Sequence, residues 1–244
     1  MSTAKQPLGK LPATAFGTLS IPRLLPAIIA GFKALDDLTG QTSDAMDDLG
    51  IAGVVPGSTL RPTDPGAKVV GQAITLHNQH NGKSVPEAVA GKVSGLGDIE
   101  AHHLAEPGDV LVIQGVRDVS SMGGIMATIA KRSGEAAAIV DGAVRDIDHS
   151  RGIGYPVWSS SVSPMTGKWR IVTVGVNVPV DICGISVKPG DLVVADEVGV
   201  CFVPYERAAE VLATAQEIAR NEEKRLKMLE EGMSLADFLK VPRK

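Results

Sequence analysis

The sequence has few aromatic residues and no excess of basic charge. Its 244 residues include two tryptophans, two tyrosines and four phenylalanines, and 24 Lys and Arg stand against 28 Asp and Glu. Surfaces that bind nucleic acid combine basic patches with stacking aromatic side chains. A direct nucleic-acid partner is therefore not expected.

Long apolar runs and cysteine motifs are also scarce. The longest apolar run near the start, residues 24–32, is interrupted by Pro26 and is shorter than the roughly 20 residues that span a membrane. No convincing cleavage site follows it, so we expect a helix of the mature protein and no membrane partner. Cys183 and Cys201 match no metal or redox spacing, which predicts two reduced core thiols in a cytoplasmic protein.

Length and even composition predict one α/β domain with terminal additions. We expect an N-terminal extension over residues 1–42, where several prolines break regular structure, and a folded domain over residues 43–240. Ser43 is the expected N-cap of a first helix over 44–49. Apolar periodicity predicts further elements. These are strands at 68–76, 136–140, 156–162, 170–178, 191–195 and 199–203, and helices at 125–133 and 206–231.

The most informative segment is the near-continuously apolar run 136–144, in which Asp141 is the one charged residue, followed directly by Arg145 and Asp146. It is typical of a buried strand that carries two opposite charges to a sheet edge, where α/β proteins bind ligands. A guanidinium there can bind a substrate carboxylate through two hydrogen bonds, and an aspartate can hold a hard divalent cation. The alternative is an ordinary surface ion pair.

A second candidate feature is the pair Gly123 and Gly124, directly before the predicted helix 125–133. Unpaired N–H groups at a helix start attract an anion, and glycines allow it to approach closely. The alternative is a flexible turn. Because the glycine pair and the strand end belong to one helix–strand unit, we expect both to face one crevice.

Together these groups suit a 2-oxo acid, which offers a carboxylate beside a carbonyl oxygen. Cleavage of the bond beyond the adjacent carbon leaves an enolate of pyruvate, whose charge needs a Lewis acid. The sequence therefore predicts Mg²⁺ or Mn²⁺ on Asp146, with Arg145 as the catalytic cation. Lys131, at the far end of the predicted helix, is expected to be solvated.

The glycine pair, the twenty residues after it and Arg145-Asp146 resemble the RraA-like family, which includes 4-hydroxy-4-methyl-2-oxoglutarate and 4-carboxy-4-hydroxy-2-oxoadipate aldolases. The similarity covers about residues 43–240. Further segments contribute to it: Ser43-Asp44-Ala45 and residues 66–71, 107–110, 154–157, 189–196 and 203–204.

The resemblance implies a compact αββα sandwich-like domain that forms homotrimers or homohexamers, with the site at a subunit boundary. It implies a class II, metal-dependent pyruvate aldolase, often with oxaloacetate decarboxylase activity. By position, Asp146 binds the metal and Arg145 binds the pyruvyl unit of the substrate. The backbone of Gly123, Gly124, Ile125 and Met126 binds its carboxylate. Glu222 or Glu223 of a neighbouring subunit is the expected contributor to the metal's water shell.

The sequence departs from the family pattern three positions after Asp146. Aldolases of the family commonly have an acidic residue there, whereas this chain has His149, with Asp148 before it. His149 is either a proton shuttle or a surface histidine. The family's namesake subgroup inhibits a ribonuclease by protein contact, so a binding regulator is the alternative function. Some related chains are labelled methyltransferases, but no glycine-rich cofactor loop follows the first strand.

Overall fold

The computed structural model describes residues 5–92 and 94–242, and a large mixed β-sheet runs through it. The strands are β1 (Val54–Pro56), β2 (Arg61–Pro62), β3 (Val69–His80), β4 (Val110–Gln114), β5 (Ser120–Met122), β6 (Ala137–Val144), β7 (Val157–Val162), β8 (Ile171–Val176), β9 (Val180–Ile182), β10 (Ile185–Val187), β11 (Leu192–Ala195) and β12 (Gly199–Val203). The α-helices are α1 (Pro26–Lys33), α2 (Leu38–Asp48), α3 (Val85–Ala90), α4 (Asp98–Leu104), α5 (Gly124–Ser133), α6 (Ile147–Gly152), α7 (Ala208–Glu230) and α8 (Leu235–Phe238).

Four parallel strands, in the order β3, β4, β6 and β7, form the centre of the sheet. Beyond β3 the sheet continues antiparallel through β11, β12 and β1. Short β5 pairs in parallel with the end of β6, β8 pairs antiparallel with β3, and β2 pairs antiparallel with β7. The strands β9 and β10 form a separate hairpin.

The strand β6 is buried on both faces except at half-buried Asp141, which explains why the rest of its sequence is apolar. Ala138 and Val140 pack beneath residues of α4 and α5, whereas Ala137 and Ile139 pack into a second cluster on the opposite face. Burial of a Val or Ile side chain stabilises a fold by about 1.5–3 kcal/mol. The buried strand therefore fixes the position of the backbone that follows its last residue, Val144.

Most of the expected elements are confirmed, and the mixed α/β single-domain class is confirmed with them. The helix predicted at 125–133 spans Gly124–Ser133, and the C-terminal helix spans Ala208–Glu230. The strand predicted at 136–140 runs on to Val144, and the apolar run near the start forms α1.

The prediction for the first domain helix was wrong at its start. The helix α2 begins at Leu38, and Asp37 accepts a hydrogen bond from Gly40 N, so Asp37 takes the role expected of Ser43. Buried Leu38 and Thr42 anchor the extra turn in the core, so tertiary packing decided between two acceptable caps. The helix thus crosses the expected boundary between residues 42 and 43.

Both cysteines are free thiols. Cys201 is buried and Cys183 is half-buried. Burial, followed by the nearby charge of Asp141, raises the pKa of Cys183 to about 12. Burial, followed by the charge of Asp196, raises the pKa of Cys201 to about 12 as well.

Within residues 5–92 and 94–242, no helix is long and apolar enough to cross a membrane.

Candidate active site

Arg145 and Asp146 follow the last residue of β6, at the carboxyl end of the parallel strands. Arg145 N donates a hydrogen bond to Met122 O (3.0 Å), so the chain continues beside the end of β5. Asp146 then adopts a left-handed conformation with φ of 55°. Aspartate accepts this conformation more readily than most residues, and it starts the turn into α6. The strand end is confirmed as the location of both charges.

The helix α5 begins directly opposite this pair. Gly123 is its N-cap, and Gly124 N donates a hydrogen bond to Asp146 Oδ2 at 2.9 Å. The positive end of a helix dipole favours a nearby carboxylate. One N–H group that the sequence assigned to a substrate carboxylate therefore binds and orients a carboxylate of the chain itself.

The two glycines leave room for this close approach. A Cβ atom on Gly123 would lie 2.8 Å from Asp146 Oδ2 and 3.0 Å from Arg145 Nε. A Cβ atom on Gly124 would lie 3.1 Å from His149 Cδ2. The glycine pair thus makes room for the Arg–Asp pair and His149, a role that short-motif reasoning did not anticipate.

The Arg–Asp pair is loose and accessible. Arg145 Nε lies 3.7 Å from Asp146 Oδ2, and the side chains are 42% and 47% exposed. A solvated pair with one long contact contributes only about 0–1 kcal/mol to stability. Both groups therefore remain available to a ligand.

The six residues predicted to bind metal or substrate line one cavity of about 430 Å³. They are Gly123, Gly124, Ile125, Met126, Arg145 and Asp146. Ile125 is 77% exposed and forms an apolar edge. The same cavity also receives Lys10, Asp98 and Lys168, none of which the sequence analysis singled out.

His149 is exposed, and its side chain is held by a hydrogen bond. Its Nε2 lies 2.9 Å from Thr128 Oγ1, and that hydroxyl donates to Gly124 O (2.8 Å). Since the single hydroxyl proton is used there, His149 Nε2 is the donor in the first bond. His149 is therefore tied to the first turn of α5. Lys131 points away and donates to Gly154 O (2.8 Å).

Glu222 and Glu223 lie on α7, away from this cavity. Glu222 accepts a hydrogen bond from Gln41 Nε2 (2.9 Å) and lines a separate acidic cavity of about 620 Å³ with Asp44, Asp47 and Glu217. Burial, followed by the charge of Glu222, raises the pKa of Asp44. Glu223 is exposed. The two cavities share no lining residue.

The donor set suits one particular kind of cation. Across the described residues, no three His, Cys, Asp or Glu side chains are grouped to hold a metal. A half-exposed carboxylate such as that of Asp146 instead suits Mg²⁺, which keeps several waters and takes one or two protein carboxylates. The residues present fit Mg²⁺ or Mn²⁺ and do not fit a structural zinc.

Fold and site together define an α/β protein with an Arg–Asp pair at a strand end, facing a glycine helix start. A model of the RraA-like family, described as Aldolase/RraA, matches residues 39–202. The chain belongs to the RraA-like family.

Individual relatives agree with this assignment. "Putative 4-hydroxy-4-methyl-2-oxoglutarate aldolase" of Halalkalibacterium halodurans is 30% identical, over 78% of this chain and 84% of the relative. Protein DlpA of Legionella pneumophila is 28% identical over 88% of this chain, which spans only 33% of that longer protein.

A solved structure also matches. It is Streptomyces coelicolor RraAS2, described as an unusual member of the RNase ES inhibitor RraA protein family. The TM-score is 0.69 at 28% identity, and the match covers 84% of this chain and 98% of that one. The family thus includes proteins named for catalysis and proteins named for inhibition.

Proposed function

We propose that this protein is a divalent-metal-dependent lyase that cleaves a C4-substituted 2-oxo acid and releases pyruvate. The substrate class is a 4-hydroxy-2-oxo dicarboxylate, with oxaloacetate as a substrate for decarboxylation. The observation that carries the proposal is the shared cavity in which Arg145 and Asp146 face the glycine start of α5. The aldolase name of the Halalkalibacterium relative supports the same class.

The chain's own groups divide the work. Asp146, oriented by Gly124 N–H, would hold Mg²⁺ or Mn²⁺. When bound, the cation supplies a Lewis acid for the charge that develops on the substrate's 2-oxo oxygen. Arg145 binds the pyruvyl carboxylate and neutralises charge on the same oxygen system. The remaining N–H groups at the start of α5 help to place that carboxylate.

We further propose that the working form is a homotrimer or homohexamer in which Glu222 or Glu223 of one copy reaches the metal's water shell of another. Within one chain, Glu222 lines a cavity that shares no residue with the site of Asp146. A contribution of Glu222 to that site therefore requires a second copy. Light scattering gives the number of copies, and Glu222→Gln in that assembly should raise the Mg²⁺ concentration needed for half-maximal activity.

The experiment is a panel of 2-oxo acids screened for pyruvate release, with metal-stripped protein and with added Mg²⁺. We expect turnover of oxaloacetate or a 4-hydroxy-2-oxo acid that EDTA abolishes. Asp146→Ala and Arg145→Ala should each lose it, by about 10²–10³-fold or more. Arg117→Ala, at an exposed Arg–Asp pair elsewhere, is the matched control and should keep full activity. Unchanged turnover in Asp146→Ala would contradict the proposal.

A second candidate is a non-catalytic regulator of a ribonuclease. The observation that favours it is the likeness to RraAS2, whose description names an inhibitor family. Fold alone does not fix function. Tight ribonuclease binding in a pull-down, with no pyruvate from any 2-oxo acid tested, would favour this candidate over the lyase.

A further inference from the structure

A second carboxylate faces the candidate active-site cavity. Asp98, the first residue of α4, lines the same cavity as Arg145 and Asp146. It is only 7% exposed, and its Oδ1 accepts a hydrogen bond from Ile99 N at 3.2 Å. Within the described part of the chain, no Lys or Arg nitrogen lies within 4 Å of its carboxylate oxygens. Asp98 is therefore a buried acid without an ion-pair partner, which is uncommon in a structural role.

Burial and the neighbouring charges act on the acidity of Asp98 in opposite directions. Burial raises the pKa of Asp98, and the charges of His102 and Lys10 and the Ile99 hydrogen bond oppose that rise only in part. Lys10 lies on the N-terminal segment, and its Nζ also donates to Ser94 O (3.1 Å). Arg145, Asp146 and Lys168 are the other charged groups that line the cavity. A carboxyl group that lines a substrate cavity can serve as a general base and, once protonated, as a general acid.

A buried network lies behind Asp98 on the same helix. His102 is one helical turn further along, and its Nδ1 lies 2.8 Å from Oε1 of buried Glu135. Glu135 Oε2 accepts a hydrogen bond from Tyr155 OH at 3.2 Å. His102 Nε2 is buried without a partner. These buried hydrogen bonds join α4 to Glu135 and Tyr155.

The N-terminal segment covers the start of α4. Fully buried Glu100 accepts hydrogen bonds from Leu8 N (2.7 Å) and Lys10 N (2.5 Å). Leu11 then packs on Gly97, where a Cβ atom would lie 2.5 Å from Leu11 Cδ1. This segment lies before residues 39–202, the part of the chain that the family model matches.

We propose that Asp98 is the proton carrier of the reaction, an inference that rests on the function proposed above. The Asp98 carboxylate takes the proton of the C4 hydroxyl as the C3–C4 bond breaks. The electron pair of that bond passes to the pyruvate enolate, and C4 leaves as a carbonyl. Asp98 then returns the proton to C3, which completes pyruvate.

With oxaloacetate as the substrate, Asp98 begins the reaction in its protonated form. Carbon dioxide leaves with no proton to remove, and the electron pair of the broken bond again passes to the enolate. Neutral Asp98 donates its proton to C3, and solvent restores that proton afterwards.

The test is the exchange of pyruvate methyl protons in D₂O with Mg²⁺, followed by proton NMR, because it reports C3 proton transfer without bond cleavage. Asp98→Asn keeps the shape of the side chain and removes the acid. We expect exchange at least about 10²-fold slower, with the affinity for pyruvate in Mg²⁺, measured by calorimetry, within about threefold of wild type. Asp148→Asn, at an exposed aspartate on α6, is the matched control and should exchange at the wild-type rate.

Each result decides between the two proposals. Wild-type exchange in Asp98→Asn overturns the role of Asp98 and leaves the lyase standing. Equal losses of exchange and of pyruvate affinity also overturn it, because Asp98 would then act in binding. A wild-type protein that neither exchanges nor releases pyruvate from any 2-oxo acid overturns the proposed function and this inference with it.

Discussion

Two Arg–Asp pairs follow neighbouring strands of the parallel sheet, and only one of them lines the candidate site. Arg117 and Asp118 come shortly after β4, and Arg145 and Asp146 come directly after β6. Asp118 and Asp146 even share the left-handed conformation, with φ of 60° and 55°. The first pair is 93% and 67% exposed, whereas the second is 42% and 47% exposed.

The difference lies in what surrounds each aspartate. Asp146 receives the N–H of Gly124 from a helix start, and Gly123 leaves it room. In the part of the chain described by the structure, the side chain of Asp118 is paired with Arg117 alone, at 3.8 Å. An Arg-Asp sequence with a left-handed aspartate is thus insufficient to form a site. The start of α5 opposite Asp146 is what distinguishes Arg145–Asp146 from Arg117–Asp118.

The largest effect within this comparison is expected from Gly123→Ala. This substitution fills the space beside Asp146 and leaves both Arg145 and Asp146 in the sequence. The new Cβ would meet Asp146 Oδ2 at 2.8 Å and must displace it. A displacement of about 1 Å at a reacting group costs on the order of 10²-fold in rate, so kcat/KM for pyruvate formation should fall by about that factor. Gly152→Ala, with open space around its Cβ, is the control and should be active. A fully active Gly123→Ala protein would show that the close approach is unimportant.

A smaller effect is expected from Arg145→Lys, which keeps the positive charge but removes the planar guanidinium group that can bind a carboxylate through two hydrogen bonds. Loss of a charge-assisted hydrogen bond costs about 1.5–3 kcal/mol, so kcat/KM should fall by about 10–100-fold, mainly through a higher KM. Steady-state kinetics with oxaloacetate measure it. Arg117→Lys should leave both constants unchanged, and equal behaviour of the two variants would contradict the distinction between the pairs.

The smallest effect concerns stability, where the two pairs should behave alike. Asp118→Gly and Asp146→Gly each relieve a left-handed conformation and each remove a weak surface pair. Asp146→Gly also removes the hydrogen bond from Gly124 N, whose net contribution of about 0.5–1.5 kcal/mol is offset by the relieved backbone strain. The free energy of unfolding should change by less than about 1 kcal/mol in both, as measured by urea denaturation. If Asp146→Gly alone lost more than about 2 kcal/mol, Asp146 would be a structural residue.

The strand end at Arg145–Asp146 was predictable because a buried parallel strand needs an apolar run and the charges mark where burial stops. The helix start at Gly124 was predictable from the glycines for a similar reason. The contact between them was not, since the Gly124 N–H to Asp146 bond joins residues that only the sheet register brings together.

Asp98 and its network escaped the sequence analysis for the same physical reason. Asp98 and His102 share one face of a helix, a spacing that the sequence does contain, but Glu135 and Tyr155 reach His102 from other elements. Burial, not spacing, marks Asp98 as unusual, and burial is visible only in the folded structure. The start of α2 was misplaced because packing of Leu38 and Thr42 outweighed local capping preference.

The most direct test of the central claim is Mn²⁺ binding to wild-type, Asp146→Ala and Asp118→Ala proteins, measured by electron paramagnetic resonance with and without pyruvate. The account predicts equal affinity in wild type and Asp118→Ala, tightened by pyruvate, and binding at least about tenfold weaker in Asp146→Ala. Wild-type Mn²⁺ affinity in Asp146→Ala would contradict the assignment of Asp146 as the residue that holds the cation.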